Sequence, residues 1–289
     1  MYVATLISAP SRLSLALAEA LRGAWGGAAL RWLSGGEAAE FDIAAIPDTR
    51  WSVWEDLQAQ DVDLIVQPAE GRKKKMLLAD MDSTMIQQEC IDELADAAGV
   101  GPRVADITAR AMNGELDFEG ALIERVGLLK GLPATMIDEV WTHRITLMPG
   151  GPALLSTMKA AGAYAALVSG GFTAFTQAVS AQLGFDENRA NSLLIEDGKL
   201  TGEVGRPILG REAKVQALHD ITARLGINPA DVLAVGDGAN DLGMLGLAGT
   251  GVALHAKPSV QARCDIRVNR GDLTALLYLQ GYARQDFAP

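Results

Sequence analysis

The sequence predicts an α/β protein: a buried parallel sheet, interrupted by a helical insert and preceded by a small α+β unit. Three observations carry that expectation. The later part of the 289-residue chain contains the short apolar runs "KMLLADMD", "AYAALVSGG", "DVLAVGDG" and "GTGVALHA". They are apolar on both faces and separated by helical stretches, as strands of a parallel sheet covered on both sides must be. Between the first two runs, residues 87–145 change to helical periodicity. Residues 1–70 alternate strand and helix in the order βαββαβ.

Taken in order, "YVATLISA" reads as a strand. "SRLSLALAEALRGA" reads as a helix, with Ser11 as its candidate N-cap and Leu13, Leu15, Leu17 and Leu21 as its apolar residues. "AALRWLSGGEAAEFDIAA" reads as a hairpin turning at Gly35-Gly36, "TRWSVWEDLQAQ" as a helix and "DVDLIVQP" as a strand. The segment 71–76 holds Lys73, Lys74 and Lys75 and is expected to be a solvated linker. The remainder, 77–289, divides into a core of 77–86 and 146–289 and a cap of about 87–145. The cap contains the helical stretches "IDELADAAG", "RVADITARAMNG", "DFEGALIERVGLLKG" and "ATMIDEVWTHR". An insert directly after the first core strand makes a lid over the strand ends.

Composition narrows the function. At 49% hydrophobic and 21% charged residues, the chain can bury a core. A formal net charge of −11 argues against nucleic acid or an anionic membrane as partner, since both select a basic face. No run approaches the ~18 apolar residues that span a bilayer. The N-terminus lacks a basic region ahead of its apolar stretch, so it reads as strand and helix and not as a signal peptide. Cys90 and Cys264 are far apart, without a CxxC or His/Cys cluster. Zinc is disfavoured, and reduced thiols in a cytoplasmic protein are expected.

The chemistry gathers where strands end. Ligands of open α/β sheets bind outside the carboxyl ends of the strands. Those ends here carry Asp80 and Asp82, Ser169, and Asp237 in "GDGAND", with Asp241 four residues on. Two carboxylates facing one space from an extended segment demand a cation or a shared proton. An oxygen-only donor set without histidine suits Mg²⁺, which keeps waters and pairs with substrate phosphate. His143, His219 and His255 lack a supporting constellation and read as structural.

Four motifs in order, "DMDST" at 80–84, "VSGGF" at 168–172, Lys214 and "GDGAND" at 236–241, resemble the haloacid dehalogenase superfamily in its phosphatase branch. "DMDSTMIQQECIDELA", "DFEGALIERVGLLKGLP" and "GDGANDLGML" resemble blocks of its phosphoserine phosphatase family. The resemblance implies a Rossmann-like parallel sheet core with a helical cap. It also implies Mg²⁺-dependent hydrolysis of O-phosphoserine through an aspartyl-phosphate, the last step of serine biosynthesis. Asp80 is then the nucleophile, and Asp82 the general acid and later base. Asp80, the backbone carbonyl of Asp82, and Asp237 hold the metal, and Asp241 orients a metal-bound water or Lys214. Ser169, Gly170 and Lys214 grip the phosphoryl oxygens. From the cap, Arg125 meets the substrate carboxylate and Glu89 its ammonium, while Met112 and Phe118 exclude water; Asn240 also reaches the substrate. The plainer readings are a solvated Arg125, a helix-start Glu89, a surface Lys214, a simple turn at 169–171 and core roles for Met112 and Phe118.

Residues 1–70 resemble an ACT domain by pattern, although the strand–helix turn "SAPSRLS" has no glycine. A packing role or a homodimer contact is the alternative for this segment. Because every catalytic motif follows residue 76, it is expected to be dispensable for chemistry. Two other functions fit the sequence: an enzyme of the same fold acting on another phosphomonoester or transferring phosphate to an alcohol such as homoserine, and a non-catalytic amino-acid sensor. The intact carboxylates weigh against the sensor.

Overall fold

The structure, a computed structural model, describes residues 1–112 and 115–289; the side chain of Met112 also lies outside the described part. The first unit consists of β1 (Tyr2–Ser8), α1 (Leu15–Ala24), β2 (Arg31–Ser34), β3 (Ala38–Ile43), α2 (Arg50–Gln58) and β4 (Val62–Pro68). Its strands form one antiparallel sheet in the order β2-β3-β1-β4. The N-cap of α1 is Ser14 and not Ser11. Ser14 is extended and its Oγ accepts from Leu17 N at 3.1 Å, whereas Ser11 has φ +62° and belongs to the preceding turn. The hairpin turns at Gly35-Gly36 as expected. At Gly36, with φ +70°, a Cβ would stand 3.2 Å from the Ser11 backbone, so the close approach itself requires glycine.

This sheet is buried on both faces, which explains the unbroken apolar runs of β1 and β4. Ala4, Leu6, Leu64 and Val66 join Phe41, Ala18 and Leu57 beneath α1 and α2. The alternate residues Ile7 and Ile65 point the other way, into the main core with Leu276 and Tyr278.

The segment 71–76 departs from a solvated linker. Arg72 Nη1 pairs with Glu40 at 2.7 Å, Lys74 Nζ donates to Ala230 O at 2.8 Å, and the Lys73 ammonium sits 4.3 Å from the Tyr282 ring centroid. Met76 is already a strand residue, paired with Val232 and Tyr164. The basic run ties the two parts of the chain together.

The core sheet contains β5 (Met76–Ala79), β6 (Tyr164–Phe172), β7 (Glu187–Asn191), β10 (Val232–Gly236), β11 (Thr250–Leu254) and β12 (Ile266–Val268), in the order β12-β11-β10-β5-β6-β7. All its pairs are parallel. Successive residues feed opposite layers: Leu77, Ala79, Leu233 and Val235 one, Met76, Leu78, Val232 and Ala234 the other. Period-two geometry with helices on both faces makes every position apolar. The accompanying helices are α7 (Gly151–Ala160), α8 (Thr173–Leu183), α9 (Arg211–Leu225), α10 (Leu242–Leu247), α11 (Pro258–Gln261) and α12 (Ala275–Leu279).

Between β5 and α7 lie the cap helices α3 (Cys90–Ala97), α4 (Gly101–Met112), α5 (Phe118–Gly127) and α6 (Thr135–Arg144). The two crossings that join cap to core run side by side. Ile86 bridges Leu147, Gln87 N donates to Thr146 O at 3.0 Å, and Met148 N donates to Met85 O at 2.9 Å. A hairpin of β8 (Leu193–Glu196) and β9 (Lys199–Val204) turns at Asp197-Gly198 and supports the cap, where Gly131 N donates to Leu200 O at 2.8 Å. Its Asp-Gly pair is a recognisable hairpin signal that the reading above does not use.

Candidate active site

β5 and β10 are neighbours at the middle of the sheet, so the residues that follow them are forced together. Asp80 N donates to Val235 O at 3.0 Å, continuing the ladder by one residue. Asp80 is buried, and its Oδ1 accepts from Met81 N at 2.8 Å and from Lys214 Nζ at 2.7 Å. Lys214, in the first turn of α9, is 1% exposed and also donates to Asp241 Oδ1 at 2.5 Å. Burial acts against its charge, but Asp80 and Asp241 more than offset that, and its pKa is raised overall. The surface reading of Lys214 is therefore excluded.

Carboxylate oxygens of Asp80, Asp237 and Asp241 lie within 4.8 Å of one another. Burial, then repulsion from Asp80 and Asp241, pushes Asp237 up to about 8. Burial and then Asp80 raise Asp241 to about 7, against the pull of Lys214. Asp241 Oδ2 also accepts from Gly238 N at 2.9 Å, so this side chain folds its own loop as it orients Lys214. Asp237 and Asp241, both with raised pKa values and beside Asp80, offer oxygen donors only, the environment a hard divalent cation stabilises. These residues fit such an ion.

Asp82 follows two residues after Asp80. Its Oδ1 accepts from Cys90 N, the first residue of α3, at 3.0 Å. Burial, followed by the charge of Glu89, raises Asp82 to about 7. Its Oδ2 faces the end of β6: a Cβ on Gly171 would stand 2.5 Å from it and 3.1 Å from Ser169 Oγ. Glycine at 171 is thus what lets β6 approach the "DMD" loop. Ser169 is buried, and its Oγ accepts from Gly171 N at 2.9 Å.

From the cap, Phe118 opens α5 and lies over two glycines of the core. Cβ atoms built at Gly170 and Gly210 would stand 3.0 and 3.2 Å from its ring. Half-buried Arg125, in the last turn of the same helix, is drawn below the ordinary guanidinium pKa by burial, while the charges of Asp92, Glu89 and Asp82 oppose that shift. Glu89 sits at the N-cap of α3 without capping it and accepts from Ser83 Oγ at 2.7 Å. The side chain of Asn240 folds over Gly238. Met112, expected beside Phe118, has its side chain outside the described residues.

One residue escaped the sequence reading. Asn191, buried at the end of β7, donates to Gly170 O at 2.8 Å and Leu209 O at 3.1 Å, and accepts from Leu209 N at 2.7 Å. It clamps the Ser169–Gly171 end of β6 to the loop that launches α9. Only its polar character in a buried strand position hinted at this, and its partners are distant in sequence.

The strand-end acids, the buried lysine and the helical lid define a class of hydrolase. A family model for haloacid dehalogenase-like hydrolases matches residues 77–246, and the chain belongs to that family. Among curated proteins, the phosphoserine phosphatase of Haemophilus influenzae is 48% identical over 204 residues, covering 71% of this chain and 65% of that protein. The chain likewise spans 62% of the phosphoserine phosphatase of Streptomyces coelicolor, so it is shorter than both relatives. A crystal structure of a haloacid dehalogenase family hydrolase from Salmonella enterica serovar Typhi is similar over 96% of this chain and 98% of its own, with a TM-score of 0.88 and 32% identity. A solved phospho-aspartyl intermediate analogue of a phosphoserine phosphatase covers 71% of this chain and 98% of its own, at 42% identity and a TM-score of 0.67. No helix among the described residues is long and apolar enough to cross a membrane.

Proposed function

We infer that this protein hydrolyses O-phosphoserine to serine and phosphate with Mg²⁺ as cofactor. The observation that carries the reading is the two-sided site: a buried Asp80–Lys214–Asp241 group below, and half-buried Arg125 facing the acids Asp82, Glu89 and Asp92 above. The likeness to named phosphoserine phosphatases supports it.

Asp80 Oδ1 is engaged by Lys214 and Met81 N, leaving Oδ2 to attack phosphorus and form an aspartyl-phosphate. Asp82, protonated near neutrality, gives its proton to the departing serine oxygen; it then takes one from the water that cleaves the aspartyl-phosphate. Ser169 Oγ, Gly170 N–H and Lys214 bind the phosphoryl oxygens, whose charge is what such a site chiefly stabilises. Asp80, Asp237 and the Asp82 carbonyl would hold Mg²⁺, which would supply positive charge to the carboxylates and the phosphoryl group. Asp241 keeps Lys214 in place. Arg125 receives the substrate carboxylate, Glu89 the ammonium, and Phe118, with Met112, shields the pocket; Asn240 lines its rim. Buried, unpaired Cys90 and Cys264 agree with a reducing, cytoplasmic setting. If the chain forms a homodimer, the unpaired edge of β2, with exposed Trp32, is the surface we expect to be shared.

The test is phosphate release with Mg²⁺ across a panel of phosphomonoesters, with and without a chelator. Phosphoserine should lead the panel and the chelator should abolish turnover. Full activity after chelation removes the metal role, and a better substrate lacking the amino-acid part removes the substrate assignment.

A further inference from the structure

We propose that Asp63, in the N-terminal unit, is a positioning residue for the catalytic cap. Asp63 lies in β4, ahead of the first catalytic motif and outside the site, and is 0% exposed. Its carboxylate takes four hydrogen bonds. Gln58 Nε2 and Asn269 N donate to Oδ1, both at 3.0 Å, and Arg270 N and Gly271 N donate to Oδ2 at 2.8 and 2.9 Å. Three consecutive backbone N–H groups of the catalytic part are therefore satisfied by one side chain of the other part. A buried carboxylate with all its bonds made holds its partners far more firmly than neutral bonds would.

The loop it holds supports the cap hinge. Residues 269–274 follow β12. Gly271 O takes a hydrogen bond from His255 at 2.8 Å, and Leu273 N donates to Pro149 O at 3.1 Å. A Cβ at the next residue, Gly150, would stand 2.6 Å from Thr274 N and 2.8 Å from Asp272 Oδ1, so the loop and the return crossing of the cap are in close contact. That crossing is bonded in turn to the outgoing one at Met85, Ile86 and Gln87, a few residues beyond Asp82. Beside these contacts an open cleft of about 460 Å³, lined by Ser83, Gln87, Pro149, His255 and Arg270, lies between part of the loop and the outgoing crossing. From the side of the N-terminal unit, the loop is fixed by its three backbone bonds to Asp63. The N-terminal unit thereby takes part in setting the angle at which the cap meets the core.

The inference rests on the reading that the cap selects the substrate, and its test separates the two. In full-length Asp63→Asn, an amide group faces N–H donors and part of the loop loses its acceptor. The closed cap should become a minor fraction of the population, raising the apparent KM for phosphoserine by about tenfold. Turnover of para-nitrophenyl phosphate, which offers the cap no carboxylate or ammonium, should change by less than about twofold. Amide hydrogen exchange should quicken in 83–88 and 145–150 while the central strands β5 and β10 keep their protection. Should Asp63→Asn fail to fold, Gln58→Ala removes one bond to Asp63 and the clamp on Asn269 and should give the same pattern in weaker form. Equal losses on both substrates, or unchanged exchange in the two crossings, overturn the proposal and leave Asp63 as an anchor for the domain only. If the wild-type protein hydrolyses para-nitrophenyl phosphate but not phosphoserine, the substrate reading fails, and the exchange of the crossings alone decides the role of Asp63.

Discussion

In the proposed mechanism Asp80 is the residue on which the chemistry turns, and the side chains around it restrict what it can do. With Oδ1 tied to Lys214 and Met81 N, one oxygen is left for phosphorus. Asp80→Asn keeps the shape but removes the nucleophile, so purified, folded protein should show no steady-state phosphatase activity; retained turnover would falsify the assignment. Arg125 governs a different property. Loss of a charge-assisted bond to the substrate carboxylate costs ~1.5–3 kcal/mol. At about 1.4 kcal/mol per tenfold, Arg125→Ala should lower kcat/KM for phosphoserine by roughly 10- to 150-fold. Phosphoethanolamine, which lacks the carboxylate, should suffer much less. Measuring kcat/KM for both substrates on both proteins cancels general damage to the fold, and an equal loss on the two would show that Arg125 only supports the lid.

Elements meet at this site through glycines. The end of β6 reaches the "DMD" loop because residue 171 has no side chain, and α5 reaches the core because Gly170 and Gly210 leave room for Phe118. Gly171→Ala should therefore push the Asp82 carboxylate from its place without unfolding β6. Removal of a positioned general acid costs about 10²- to 10⁴-fold, so kcat should fall by at least the lower of these while thermal stability changes little. An unchanged kcat would show that Asp82 is not the proton donor. The same reasoning makes the β8–β9 hairpin part of the lid, since it holds the loop after α5 through Gly131 and Leu200.

For the whole molecule, the concentrated acids imply an unusual response to pH. Asp82, Asp237 and Asp241 hold their protons up to about 7, 8 and 7, all above the ordinary carboxylate value. The folded state therefore binds these protons more tightly than the unfolded chain does, so stability is greatest below the unfolded pKa and is lost as pH rises through the folded values. The Tm of chelated protein should fall between about pH 5 and about pH 8, and Mg²⁺ should raise Tm more at the upper end, because it replaces the lost protons. A chelated Tm that rises across that range would contradict the raised values. The domain arrangement adds a second expectation. Deleting residues 1–70 strips the cover from Tyr278 and leaves the N–H groups of 269–271 without Asp63. A chain starting at Arg72 should melt well below the full protein and bind phosphoserine more weakly. The same experiment tests the expectation that residues 1–70 are dispensable for chemistry: a truncation as stable and as active as the whole protein would bear it out.

Local chemistry and period made much of this legible in one dimension. Short runs apolar at every position foretold a sheet covered on both faces, and helical period foretold the lid. The "DMDST" and "GDGAND" acids could be matched because their spacing is fixed by a strand end and a tight turn, both short-range. The same holds for the hairpin at Gly35-Gly36. Contacts between distant segments could not be read, because nothing local marks them. Asn191 looks like any polar strand residue until Gly170 and Leu209 are brought to it. The lysines at 73–75 look like a free charge run until folding brings Tyr282, Ala230 and Asp231 within reach of their ammonium groups, although Lys73 and Lys75 stay exposed. Asp63 looks like an ordinary acid beside a turn. Only folding brings the 269–271 loop against it, and with that loop a bonded path from the first seventy residues to the hinge of the cap.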